Sequence, residues 1–215
     1  SVIVTLGGGV VGDTAGFVAA TYQRGIDFVQ VPTTLESQVD ASVGGKTAVD
    51  HPLGKNMIGS FHQPRLVYID TETLTSLPER ELRAGLAEVI KHGLIRDPEL
   101  VGFLEKNLEA IADLEIEPER LDWLIAQNCR IKADVVAKDE TEQGLREILN
   151  YGHTVGHAVE VLTNYEAYKH GEAVYLGMIA AGKIAVDRGM WSAEEFGRQQ
   201  ALLERIGIPK GVGRL

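Results

Sequence analysis

Val2–Leu6 is a short, β-branched, apolar run that opens at once into Gly7-Gly8-Gly9 and then into the valine- and alanine-rich segment Val10–Tyr22. Few features constrain a fold more. A buried strand that feeds a glycine turn and then a helix is a repeating unit of a parallel α/β sheet. Glycines let backbone N–H groups face a pyrophosphate, and the N-terminus of the following helix favours negative charge. Gly7, Gly9 and Gly12 keep the G-x-G-x-x-G spacing. The acidic residue usual about twenty positions later is missing, and Thr33 and Thr34 occupy that region. The alternative is a tight packing turn without a ligand. A strand of this kind is an interior element, so the chain is expected to begin in mid-fold, with upstream sequence missing.

Asp27–Pro32 predicts a second strand and Leu66–Ile69 a third. Thr33–Ser60 is polar, glycine-rich and without a clear period, which predicts an active-site excursion. Past Pro78 the pattern predicts helices over Glu79–Ile95, Glu99–Leu114, Pro118–Lys138, Thr154–Thr163, Glu172–Arg188 and Ala193–Ile206. Strands first and helices afterwards imply two domains, 1–77 and 78–215. Ser76 and Glu79 have capping-box spacing for the first long helix. The acidic stretch Glu109–Glu119 reads as a solvated helix end and loop.

Charge narrows the function. Lys plus Arg is 21 against 31 for Asp plus Glu, a formal net charge of −10. That argues against a general nucleic-acid binder. No run approaches the ~20 apolar residues of a membrane span. The single cysteine, Cys129, excludes an internal disulfide and a Cys-rich zinc module, and it fits a reducing compartment such as the cytoplasm.

Six histidines occur, and three gather in one stretch: His153, His157 and His170. His153 and His157 are spaced i,i+4 and share a helix face. Spacing alone makes both of them zinc ligands, with His170 a third and Glu88, Glu160 or Glu172 as the carboxylate. Glu88 interrupts the apolar face Leu82, Leu86, Val89, Ile90, which is costly unless the carboxylate is paired or metal-bound. A pair with Lys91 or His92 at i,i+3 or i,i+4 is the plain alternative. Arg24, Lys46, Lys55, Lys91, Lys132 and Arg146 each fall near a motif. Screening over about 8 Å lets such a local cluster hold an anion in an acidic chain.

The run Val31-Pro32-Thr33-Thr34-Leu35, then Gln38-Val39-Asp40-Ala41-Ser42-Val43-Gly44-Gly45-Lys46-Thr47-Ala48-Val49, is distinctive. With His51-Pro52-Leu53-Gly54-Lys55-Asn56-Met57-Ile58-Gly59 and Leu149-Asn150-Tyr151-Gly152-His153-Thr154-Val155-Gly156-His157, it strongly resembles the 3-dehydroquinate synthase family. The resemblance covers nearly the whole chain. It implies an α/β fold: a truncated Rossmann-like NAD-binding domain followed by an all-helical metal-binding domain, without the family's N-terminal portion and C-terminal tail. It also implies a cytoplasmic homodimer.

The resemblance implies a metal, Zn2+ or Co2+, on Glu88, His153 and His170, and it moves His157 from ligand to a substrate-side acid–base or hydrogen-bonding group. It implies NAD contacts at Gly8, Gly9, Val10, Val11, Gly12, Asp13, Thr33, Thr34, Lys46, Lys55, Thr73, Leu74, Thr75 and Ser76. Substrate contacts are implied at Arg24, Asp40, Lys46, Asn56, Lys91, Lys132, Arg146, Asn150 and His157. The implied substrate is a sugar-acid phosphate, 3-deoxy-arabino-heptulosonate 7-phosphate. The implied reaction is transient oxidation at C5, phosphate loss, re-reduction, ring opening and aldol closure. Lys46, Asn56 and Lys132 would orient the ring and carboxylate, with Arg146 as a bidentate anion clamp. Glu36 and Asp50 depart from the family pattern, and Asp50 would set a negative charge near an anionic substrate. Competing readings are another sugar phosphate cyclase or polyol dehydrogenase on the same scaffold, and a non-catalytic fragment.

Overall fold

The computed structural model describes residues 1–52 and 54–208. Leu53 of the His51–Gly59 motif and residues 209–215 of the predicted helical domain lie outside the described residues. Strand β1 (Val2–Gly7) pairs in parallel with β2 (Asp27–Pro32), from Val2 opposite Asp27 to Gly7 opposite Pro32. β2 pairs in parallel with β5 (Leu66–Val67), giving the order β1-β2-β5. Helix α1 (Gly9–Thr21) starts where the glycine turn leaves β1, and the N–H groups of Val11 and Gly12 both donate to the Gly8 carbonyl.

Thr33–Ser60 is more ordered than its pattern suggests. One wide helical turn spans Ser37–Ala41, and β3 (Lys46–His51) and β4 (Gly54–Phe61) form an antiparallel hairpin with an irregularity between Val49 and His51. The hairpin escapes a periodicity test because most of β4 is exposed on both faces, so nothing enforces apolar alternation.

Six helices follow: α2 (Glu79–Arg96), α3 (Pro98–Ala112), α4 (Pro118–Lys138), α5 (His153–Leu162), α6 (His170–Asp187) and α7 (Ala193–Glu204). A short 3-10 stretch, Leu145–Asn150, leads into α5. Their ends follow local chemistry. Asp97 caps α3 by accepting from the N–H groups of Glu99 and Leu100, with Pro98 in the first turn, where its missing N–H costs nothing. Ser192 and Glu195 form a capping box on α7. Ser76 does not cap α2. Pro78 stands at that position, and Ser76 Oγ donates instead to the Thr73 carbonyl within the 3-10 turn Thr71–Ser76. The acidic stretch after α3 is loop from Asp113 to Glu117, as its charge predicts.

One buried cluster joins Leu86, Ile90, Leu104, Leu124 and Val174 of the helices to Leu35, Val39 and Leu74 from the first part of the chain. Each such side chain contributes roughly 1.5–3 kcal/mol of burial. The core therefore runs across the 77/78 position. Cys129 packs beside it, its Sγ donating to the Gln38 carbonyl at 3.2 Å, and burial pushes the thiol up to about 11. Among the described residues no helix is long and apolar enough to cross a membrane.

Candidate active site

A cavity of about 760 Å³ opens between the glycine turn, the hairpin and the helices. Its mouth is formed by Gly9, Val10 and Asp13 at the start of α1, and its hairpin wall includes Lys46, Asp50, Lys55 and Asn56. Lys91 of α2, Lys132 of α4, and His153, His157 and His170 complete it. The turn after β1 and the turn after β2 meet here, with Thr33 N–H donating to the Gly7 carbonyl at 3.0 Å. This is the carboxyl end of a parallel sheet, where α/β folds bind ligands.

Glu88 sits on α2, 1% exposed, and its Oε1 has no hydrogen-bond partner among the described residues. That oxygen lies 3.8 Å from His153 Nε2 and 3.7 Å from His170 Nε2. Both rings are turned by their other nitrogen. His153 Nδ1 bonds the Tyr151 carbonyl at 3.3 Å, and His170 Nδ1 bonds Glu160 at 3.4 Å. With Nδ1 engaged in this way, the Nε2 atom of each ring is the one nearest the orphaned oxygen and the one left to bind a metal. Tetrahedral bonds of about 2.1 Å put ligand atoms about 3.4 Å apart, so the two Glu88–imidazole separations are close to those of ligands sharing a divalent ion. Zinc and cobalt both suit two imidazoles and a carboxylate.

Two other groupings share these residues. His153, His157 and His170 each offer a nitrogen within 4.8 Å of the others, so spacing does not separate His157 from the pair. Exposure does: His157 is exposed, and the buried carboxylate faces the other two rings. Asp40, Glu88 and His92 also cluster. There Asp40 is already compensated by Lys91 at 3.1 Å and by a short contact with Lys132, and His92 Nδ1 is held by Asn128 at 3.0 Å. Two ammonium groups beside Asp40 disfavour a dication.

The electrostatics follow burial first. Burial pushes Glu88 up to about 7 against the opposing pull of Lys91, which touches its Oε2. Burial and the Lys91 charge push His153 down to about 3. Burial opposes charge on His170, yet the Glu160 hydrogen bond and the charges of Glu36 and Glu88 hold it up at about 9. Burial works against charge on Asp40 too, and Lys132 and Lys91 overcome it, keeping the carboxyl well below its ordinary range. Burial lifts Asp13 to about 6.

Two close approaches position the imidazoles. A β-carbon at Gly171, next to His170, would stand 1.9 Å from the Ala84 carbonyl oxygen of α2. One at Gly177 of α6 would stand 1.8 Å from the carbonyl oxygen of Gly152, the residue before His153. Only glycine lets α6 lie this close to α2 and to the start of α5.

Not every expected residue reaches the cavity. Arg24 lies on an exposed turn after α1 and does not line it. Gly8, Val11, Gly12, Thr33, Thr34, Thr73, Leu74, Thr75 and Ser76 are also off its wall: Leu74 is fully buried in the core, and Thr73 Oγ1 accepts from Gln38 Nε2. Arg146 lines the cavity but is 1% exposed, and it gives Nη1 to the Glu140 carbonyl and Nη2 to the Gly44 carbonyl. As it stands it braces the loop rather than presenting an open fork. Asp50 turns its carboxylate to the Asn56 N–H at 2.9 Å, capping a residue whose φ is +55°. Glu36 lines the cavity, where burial raises its carboxyl.

Sequence reasoning does not single out Glu142. Its carboxylate contacts the Lys46 ammonium and accepts from Asn150 Nδ2 at 2.7 Å. The signal lies nearby: Asp139 accepts from the N–H groups of Gln143, Gly144 and Arg146, which folds this acidic segment inward.

The architecture is that of solved sugar phosphate cyclases. The solved neighbours include ValA, a 2-epi-5-epi-valiolone synthase from Streptomyces hygroscopicus subsp. jinggangensis 5008 with NAD+ and Zn2+ bound. It is 30% identical with a TM-score of 0.92, over 100% of this chain and 60% of that one. A 2-deoxy-scyllo-inosose synthase complexed with carbaglucose-6-phosphate, NAD+ and Co2+ is 35% identical with a TM-score of 0.89, over 98% of this chain and 56% of that one. The family model for the 3-dehydroquinate synthase N-terminal region matches residues 1–84, and that for its C-terminal region matches 85–214. The chain belongs to the 3-dehydroquinate synthase family. The 3-dehydroquinate synthase of Nostoc punctiforme is 58% identical over 207 residues, 96% of this chain. The chain spans 57% of that relative's length.

Proposed function

We propose that the protein to which this chain belongs is a 3-dehydroquinate synthase. It would convert 3-deoxy-arabino-heptulosonate 7-phosphate to 3-dehydroquinate and phosphate, as a carbon–oxygen lyase of the shikimate pathway acting as a cytoplasmic homodimer. The observation that carries the reading is the convergence of the buried Glu88 Oε1 with the Nε2 atoms of His153 and His170, whose rings line a cavity that also holds Lys46, Lys55, Lys91 and Lys132. In this reading Glu88, His153 and His170 hold the divalent metal, and the glycine turn with Thr33 and Thr34 receives NAD. When bound, the metal would supply Lewis acidity toward substrate hydroxyls, and NAD would supply a reversible hydride acceptor for the oxidation at C5.

The chain's own residues do the rest. Lys46, Asn56 and Lys132 line one cavity and orient an anionic ring by charge and hydrogen bonds. Lys91 and Lys132 keep Asp40 ionised, leaving it an acceptor for a substrate hydroxyl. His157, exposed at the rim beside the two ligand rings, exchanges protons between substrate and solvent. Arg146 fixes the loop that carries Glu142 and Asn150. A phosphate leaving a ketone-activated carbon can itself take the neighbouring proton, so little beyond positioning and charge is required.

The test is stoichiometry. The full-length protein with NAD and Zn2+ is expected to release one phosphate per substrate without net NADH. Net NADH would instead indicate a polyol dehydrogenase. Product identification separates 3-dehydroquinate from valiolone and inosose products, which matters because solved valiolone and inosose synthases share this fold.

A further inference from the structure

Gln199 is a buried polar side chain that the reaction does not use. It lies on α7, 1% exposed, remote in sequence from every residue assigned to the cavity. Its Oε1 accepts from the Tyr151 hydroxyl at 2.7 Å, and its Nε2 donates to the Met178 carbonyl of α6 at 3.0 Å. The orientation of the amide is forced, because a carbonyl can only accept and so must meet the NH2 group. Tyr151, whose hydroxyl also lies 3.4 Å from the Met178 carbonyl, is thereby held against α6. Its own carbonyl is the partner of His153 Nδ1 at 3.3 Å. Gly152, between the two, has φ +82° and leaves no slack: a β-carbon there would stand 2.9 Å from the Met178 backbone nitrogen.

We propose that Gln199, through Tyr151, is a positioning residue for the metal site: it fixes the carbonyl that sets the tautomer and the rotation of the His153 ring. The inference rests on the metal reading of Glu88, His153 and His170. A partner that orients a ligand imidazole is typically worth 10–100-fold in metal affinity. A buried Gln–Tyr pair present only for stability would affect melting and leave affinity alone.

The experiment measures Zn2+ affinity by competition with a chromogenic chelator, for the unmodified protein, Tyr151→Phe, Gln199→Met and the double variant. Melting of the metal-free proteins and the visible spectrum of the Co2+ forms are recorded alongside. Each single variant is expected to bind Zn2+ about 10-fold more weakly and to shift the Co2+ bands. The double variant is expected to bind Zn2+ about as weakly as Tyr151→Phe alone, because losing the hydroxyl already removes the bond through which Gln199 reaches Tyr151. Zn2+ affinities equal to the unmodified protein, with only melting lowered, would overturn the inference and leave the metal reading intact. No Zn2+ binding by the unmodified protein would overturn both. If Gln199→Met does not fold, Tyr151→Phe decides the matter, since it removes a single oxygen.

Discussion

Gly177 of α6 lies against the carbonyl of Gly152 so closely that a β-carbon would come within 1.8 Å of that oxygen. The obstacle is backbone and cannot rotate away. Gly177→Ala is therefore expected to separate α6 from the residue preceding His153. Overpacking of this kind costs about 1–3 kcal/mol or more. At about 2–4 °C per kcal/mol for a chain of this size, melting should fall by several degrees. Zn2+ affinity should fall with it. An unchanged melting curve would show that the helices do not need this contact.

Ligand and rim histidines should separate by metal content. Glu88→Ala and His153→Ala are expected to lose both bound metal and turnover. His157→Ala should keep its metal and lose about 10²–10⁴ in turnover, the range for a proton-transfer group. Metal analysis of the purified variants decides it. Full zinc occupancy in His153→Ala would overturn the ligand assignment.

Glu142 shares its carboxylate between Lys46 and Asn150 and so competes with any anion for them. Lys46 is half exposed, which limits such a pair to about 1 kcal/mol. Glu142→Gln is expected to tighten binding of inorganic phosphate about fivefold, and Lys46→Met to weaken it. Calorimetric titration at low salt measures both. A Glu142→Gln protein that binds phosphate more weakly would contradict this account.

Asp97 gives a pH dependence away from the metal site. Burial opposes its charge, but Gln127 and the N–H groups of Leu100 and Glu99 together outweigh it and hold the carboxyl below the ordinary value of 3.8. A depressed carboxylate stabilises fully above its unfolded pKa, and the contribution is lost as pH falls through the folded value. Asp97→Ala should cost about 1 kcal/mol at neutral pH. Below about pH 4 the gap between variant and parent should close. Denaturant unfolding at pH 7 and pH 3 checks it, and a gap that widens in acid would refute it.

The same forces explain which parts of the fold and site are legible in the amino-acid sequence. The β1–glycine–α1 unit is legible from its β-branched run and glycines, although the strand is not buried as expected and Val2, Val4 and Leu6 are exposed. The later helix spans are legible because burial imposes a period on them. The β3–β4 hairpin lacks that signal because most of β4 is exposed. Ser76 has the spacing of a cap, but its hydroxyl is taken by the Thr73 carbonyl one turn earlier. The i,i+4 pair His153 and His157 locates the proposed metal region. It is the direction of Glu88 Oε1, set by three-dimensional packing, that distinguishes them. Glu142 sits in an acidic run with the composition of solvated loop, and only the hydrogen bonds of Asp139 fold it inward.

The segment bearing Leu35, Val39 and Asp40 follows a strand in sequence, yet its apolar side chains share the helical core and its carboxylate is bound by Lys91 and Lys132. Separating a buried ion pair costs about 3–5 kcal/mol. Any rigid-body swing of the sheet must therefore carry Asp40 with the helices and leave it behind the moving glycine turn.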